Sequence, residues 1–139
     1  MEDDRKLQLE VPPSPEFVGT ARLFAAAAAR HLGAEEEAIA DLKVVISEIC
    51  TGAIQIGDGA RHQPVLLSLE PADGAVQVEV IGPPGALQSP DDKQASNTLG
   101  DFEKDLGIGL IKALFPDVEV SPSHQDSLIL KLTLPRVAA

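Results

Sequence analysis

Between Lys6 and Val11 the apolar residues Leu7, Leu9 and Val11 fall on alternate positions, which predicts a strand with one buried face. Pro12-Pro13 stops it. Ser14 before Pro15 predicts a helix start, with Ser14 as N-cap and Pro15 at the first helical position, where a missing N–H does no harm. Phe17, Ala21, Phe24, Ala28 and Leu32 then recur at spacings of 4, 3, 4 and 4, one apolar helix stripe. The Ala25–Ala29 run suits a helix packed closely on a neighbour, and Gly33 ends it. A second helix is predicted from near Ala34. Glu35, Glu36 and Glu37 stand in its first turn, where the positive end of the helix dipole favours them. Ile39, Leu42, Ile46, Ile49, Ala53 and Ile56 follow at spacings of 3, 4, 3, 4 and 3, with Asp41, Glu48, Thr51 and Gln55 largely on the other side. Gly57-Asp58-Gly59 closes the helix.

Val65–Glu70 and Ala75–Ile81 alternate and are joined by Pro71-Ala72-Asp73-Gly74, the pattern of a β-hairpin. From Gly82 to about Lys104 the chain has no period and is rich in Pro, Gly, Asp, Ser and Asn; a loop of this kind is usually functional or mobile. Leu106 to Phe115 reads as a short helix stopped before Pro116, and Val118–Ser121 and Leu128–Leu134 as two more strands. The order β-α-α-β-β-loop-α-β-β predicts a two-layer α/β sandwich (α+β), with a mixed, mostly antiparallel sheet of about five strands and the helices on one face. No repeat or linker divides residues 1–139, so one domain is expected, with its core between about residues 7 and 134.

Composition narrows the function. Eleven Lys plus Arg against 22 Asp plus Glu gives 11 − 22 = −11, a charge that repels phosphate backbones and anionic lipid and favours a basic protein partner. With four Phe, no Tyr and no Trp, stacking platforms for single-stranded nucleic acid are missing. Neither direct nucleic-acid contact nor a membrane role is expected. Cys50 is the only cysteine, so no internal disulfide or Cys-x-x-Cys exists, and it reads as a small core residue. His31, His62 and His124 lack ligand spacing, so no metal site is expected from them. No apolar run reaches the ~20 residues of a membrane span, and the acidic N-terminus has no signal-peptide core. A cytoplasmic protein is the expectation.

Three blocks carry a family resemblance. Leu9-Glu-Val-Pro, Pro15-Glu-Phe-Val and Ala21-Arg22 form the first. Asp41-Leu-Lys-Val-Val-Ile-Ser-Glu48-Ile-Cys-Thr-Gly52-Ala53 is the second. Leu106-Gly107-Ile-Gly109-Leu110-Ile111-Lys-Ala-Leu, followed by an Asp-Val-Glu-Val strand, is the third. From Leu7 to Leu134 the chain resembles the anti-sigma-factor serine kinases of the ATPase superfamily shared with histidine kinases and DNA gyrase. The resemblance implies the histidine-kinase-like ATPase fold.

It also implies where chemistry would sit, and there the sequence departs. In the family a Glu at the Glu48 position orients or deprotonates the attacking hydroxyl, and an Asn four residues on, on the same helix face, helps hold Mg²⁺. Here that later residue is Gly52, which has no side-chain oxygen, and the plain reading of Glu48 becomes a solvated polar-face residue. At the hairpin exit the family has Asp-x-Gly-x-Gly, the Asp accepting from the adenine amino group. Matching Gly82 to the first glycine puts Val80 at the Asp position, and matching Gly85 to the second puts Ile81 there; neither side chain accepts a hydrogen bond. Pro83-Pro84 also stiffens that turn. Gly107 and Gly109, next to Leu110, open a short helix whose free N–H groups suit phosphate, or simply permit close packing. Ser127 stands where the family often has a Thr near the purine, and is otherwise a cap at a strand start.

The resemblance implies a sigma factor or an anti-anti-sigma factor as partner, with ATP and Mg²⁺ as cofactors of the active enzyme. The departures favour a regulator that acts by binding, with ATP binding weak or lost and no cofactor expected. The alternative is an active protein serine kinase using Glu48, Mg²⁺ and ATP on an anti-anti-sigma partner. A third reading is a structural subunit that dimerises through its sheet or first helix. If the pocket persists, Gly52→Asn together with an Asp at Val80 is expected to raise ATP affinity. The acidic loop Asp91–Asp105, with five acids against two lysines, reads as a solvated lid, and residues from about Leu87 to Lys104 are expected to be mobile without nucleotide.

Overall fold

The computed structural model describes residues 6–56, 63–83, 86, 107–122 and 127–137. The segment expected to be mobile, the closing Gly57-Asp58-Gly59 and Gly85 lie outside them. Strand β1 (Leu7–Val11) leads into a single 3-10 turn (Pro15–Phe17) and then α1 (Val18–His31) and α2 (Glu36–Ile56). The hairpin β2 (Val65–Ala72) and β3 (Ala75–Gly82) comes next, then α3 (107–114), β4 (Glu119–Pro122) and β5 (Leu128–Pro135).

The first helix begins differently from its sequence signature. Ser14 is extended but its side chain makes no capping hydrogen bond, and Pro15 opens the 3-10 turn rather than the α-helix. The turn takes the first three residues because the Phe17 N–H donates to the Ser14 carbonyl at 2.9 Å, a main-chain closure that leaves the hydroxyl unused. The end of the helix matches its signature. Gly33 has φ +95, the left-handed region that favours glycine, and its N–H donates to the Arg30 carbonyl at 3.0 Å.

The sheet runs β1-β2-β3-β5-β4, and every pairing is antiparallel. Alternation decides its faces. Leu9, Leu67, Val80 and Leu130 form one cross-strand row toward the helices, while Gln8, Ser68, Glu79, Lys131 and Glu119 form a polar row on the opposite face. The helices cover one face only. Asp73-Gly74 makes the tight turn of the hairpin.

The core lies between this face and α2. Ile39, Leu42, Ile46, Ile49 and Ala53, the stripe visible in the sequence, are all buried. From α1 the buried residues are mostly alanines (Ala21, Ala25, Ala26, Ala28 and Ala29), so the two helices approach closely, while Phe17 and Phe24 are only half-buried at the margin. Across the α1–α2 turn, Arg30 Nε and Nη2 donate to the two carboxylate oxygens of Glu36 at 2.7 and 3.0 Å. The hydrogen bond from Arg30 holds the Glu36 carboxyl below its usual range. Both side chains are solvent-exposed, so the pair positions the turn more than it stabilises the fold. Cys50 is buried, and desolvation pushes its thiol up to about 11, which suits the core role and not a nucleophile.

Two outcomes are expected. Leu42→Ala should cost about 2–5 kcal/mol in urea denaturation, because Leu42 is 0% exposed, whereas Leu23→Ala, at 73% exposure, should change stability by less than about 0.5 kcal/mol. Cys50 should react with a thiol reagent at neutral pH only as fast as the chain opens; equal rates in native and urea-unfolded protein would contradict its burial.

Candidate functional site

Two of the stretches singled out in the sequence, the second half of α2 and the end of β3, meet where Gly82 approaches Ile49 and Ala86 approaches Gly52. Glu48 is half-buried on α2, four residues before Gly52, and its carboxylate has no hydrogen-bond or ion-pair partner among the described residues. Val76, Val78, Val80 and Gly82 face the helices, and Ile81 faces the other way. Of the two positions left open for an adenine acceptor, Val80 is therefore the one on the helix side. It is fully buried in the core between Leu67 and Leu130. Ile81 lies between Leu66 and Ile129 on the uncovered face and belongs to no pocket against α2. Gly82 is buried too; a Cβ there would lie 3.6 Å from Ile49 Cγ2 and 3.9 Å from Val65 Cγ2, ordinary contact distances.

The decisive contact comes after β3. The chain turns past Pro83, with the Ala86 N–H donating to the Pro83 carbonyl at 3.2 Å, and lays the Ala86 peptide on α2 at Gly52. A Cβ on residue 52 would stand 1.7 Å from the Ala86 oxygen and 2.7 Å from its carbonyl carbon. No side chain fits there, so glycine is required by close backbone approach and not by a turn. Ala86 is itself buried. In the sequence alone, Gly52 is a missing ligand and the chain after β3 a separate defect; in the structure Gly52 and the Ala86 peptide, held to Pro83, form one contact. A glycine inside an otherwise strongly periodic apolar helix is the sequence signal that something packs there.

The remaining residues are less closely gathered. Gly107 and Gly109 open α3, Gly109 exposed with nothing within 4 Å of its would-be Cβ, and Leu110 is half-buried. Ser127, just before β5, accepts a hydrogen bond from Gln63 Nε2 at 3.2 Å, a contact that ties the segments leading into β2 and β5. Its hydroxyl is thus engaged within the chain. The donor set at this corner does not match Mg²⁺-nucleotide: Gly52 offers no oxygen, Val80 accepts nothing, and a main-chain peptide stands over α2 at residue 52. Among the described residues no group of three or more His, Cys, Asp or Glu is placed to hold a metal ion, and no helix is long and apolar enough to cross a membrane.

The comparisons with known proteins agree with this geometry at the level of fold and family. The serine-protein kinase RsbW of Oceanobacillus iheyensis is 29% identical over 130 residues, covering 85% of this chain and 80% of the kinase. RsbW of Bacillus pumilus is 29% identical over 127 residues, covering 82% and 76%. The crystal structure of the RsbU and RsbW domains of Rv1364c from Mycobacterium tuberculosis superposes with a TM-score of 0.64 at 18% identity; the match covers 97% of this chain and 33% of that longer one. Residues 11–133, which include both α2 and the β3 exit, match the histidine kinase-like ATPase domain, and the chain belongs to that family.

Proposed function

We propose that this chain is an anti-sigma-like regulator that acts by holding a protein partner, a sigma factor or an anti-anti-sigma factor, with ATP binding weak or lost. The Gly52–Ala86 contact carries the reading. It replaces the side chain that would hold Mg²⁺ by a main-chain carbonyl packed against the helix. An adenine amino group facing Val80 would be left without an acceptor, at about 1–3 kcal/mol. A second loss of similar size at the metal would together weaken binding by roughly one to four orders of magnitude. The net charge of −11 supports a basic partner surface, such as one that otherwise contacts DNA.

The direct test titrates the purified protein with a fluorescent ATP analogue, with and without Mg²⁺, and then assays phosphate transfer to a serine of a co-encoded partner. No Mg²⁺-dependent micromolar binding and no transfer are expected. Transfer by the native chain that Glu48→Ala abolishes would establish the active kinase instead.

The contact also revises the expected effect of restoring the ligands. Gly52→Asn with Val80→Asp should lower stability without raising ATP affinity, since Asn at 52 drives the Ala86 peptide off α2 and Asp at 80 enters the core. A cleaner pair uses alanine. Gly19→Ala, in α1 with nothing within 4 Å, should stabilise by about 0.5–1 kcal/mol through helix propensity, whereas Gly52→Ala should destabilise despite the same propensity gain. Equal and stabilising effects in thermal denaturation would show that the Ala86 turn does not rest on Gly52.

A further inference from the structure

A cleft of about 360 Å³ opens at the other end of α2, where Glu37 stands about 22 Å along the helix axis from Gly52. Its floor is apolar: Phe115 is buried and Leu114 and Val118 are half-buried. Its rim is acidic, with Glu35 just before α2, Glu37 and Asp41 in α2 and Asp117 from the turn after α3, and no Lys, Arg or His lines it among the described residues. Among the described residues the only ion pair is Arg30–Glu36, so the rim carboxylates have no cation there while the carboxylate between Glu35 and Glu37 has one.

The backbone of β5 adds a second feature. The Glu35 N–H donates to the Pro135 carbonyl at 2.9 Å and the Val137 N–H to the Gly33 carbonyl at 2.7 Å, while the Arg136 N–H donates to Gly74 on the β3 side at 3.4 Å. Odd-numbered residues of this stretch therefore turn their peptide groups away from β3. Lys131 is met on that side by Glu119, the first residue of β4. Thr133, the odd-numbered position between Lys131 and Pro135, lines the cleft, and Asp117, which would stand opposite it, lies in a turn and pairs with no strand. A short length of strand edge is thus open between the start of β4 and the start of α2, inside an apolar cleft with an acidic rim.

We propose that this groove seats an arginine side chain from a basic segment of a protein partner. The methylene stem matches the floor of Leu114, Phe115 and Val118, and the guanidinium carries several donors in one plane, enough to meet the Thr133 carbonyl and rim carboxylates together. A bare metal ion is the poorer occupant, because among the described residues no three carboxylates converge on one point. The net charge of −11 brings cationic segments to the surface, and the groove fixes one of them. This goes beyond the proposed function: it names a surface remote from Gly52 and holds whether or not nucleotide binds.

The test uses the whole chain, labelled with ¹⁵N, and two peptides: acetyl-Gly-Leu-Arg-Leu-Gly-amide and its twin with citrulline in place of arginine. The arginine peptide should move the amides of Ala38, Asp41, Phe115 and Thr133 saturably, and the citrulline twin should bind ~10-fold more weakly. Glu37→Gln and Asp117→Asn, both at exposed positions, should weaken the arginine peptide together while lowering the thermal midpoint by no more than about 5 °C, the share of a first-turn carboxylate. Equal binding of the two peptides, shifts spread over the acidic surface, or no saturable shift at millimolar peptide would each overturn the proposal.

Discussion

The structure depends on a single buried stripe, Ile39 to Ala53 of α2, held between the alanine face of α1 and the inner face of the sheet. Each large side chain in it contributes about 1.5–3 kcal/mol of burial, an upper estimate against a compact unfolded chain. Because α2 is covered on two sides, its position relative to β3 is fixed. The end of β3 then has to run close to the helix, and the chain leaving β3 packs wherever α2 leaves room.

Gly52 is that room. Where the family resemblance implies an Asn that helps hold Mg²⁺, this chain has a glycine. Glycine at 52 does two things at once: it carries no side-chain oxygen, and it leaves room for the main chain at Ala86 to lie against the helix.

Charge is distributed with the same economy of contact. The one ion pair among the described residues clamps the α1–α2 turn, and the carboxylates on either side of Glu36 in the chain face a cleft with no cation among its described lining residues. The polar row across the uncovered sheet face alternates sign only at Lys131, between Glu79 and Glu119, so that face is solvated on its own account. Four carboxylates thus line a cleft that a partner of opposite sign can reach.

Much was legible in the sequence. Spacings of three and four from Ile39 to Ala53, and of two in the strands, report which side of an element is apolar, and burial makes that side the inner one. Hence the two helices, the hairpin, the sheet with one covered face and the family all emerge from order along the chain. Small displacements arose at ends, as where Phe17 closes a 3-10 turn on Ser14, because local main-chain closures compete with capping there. Tertiary structure alone decided three things: that Gly52 meets Ala86, that Val80 and not Ile81 faces the helices at the β3 exit, and that β4 starts late enough to leave the Thr133 edge open beside Glu35. The reason is common to all three. Periodicity describes a residue relative to its own element, whereas these contacts depend on how far apart two elements lie and in what register they pair, and packing between residues distant in sequence sets both.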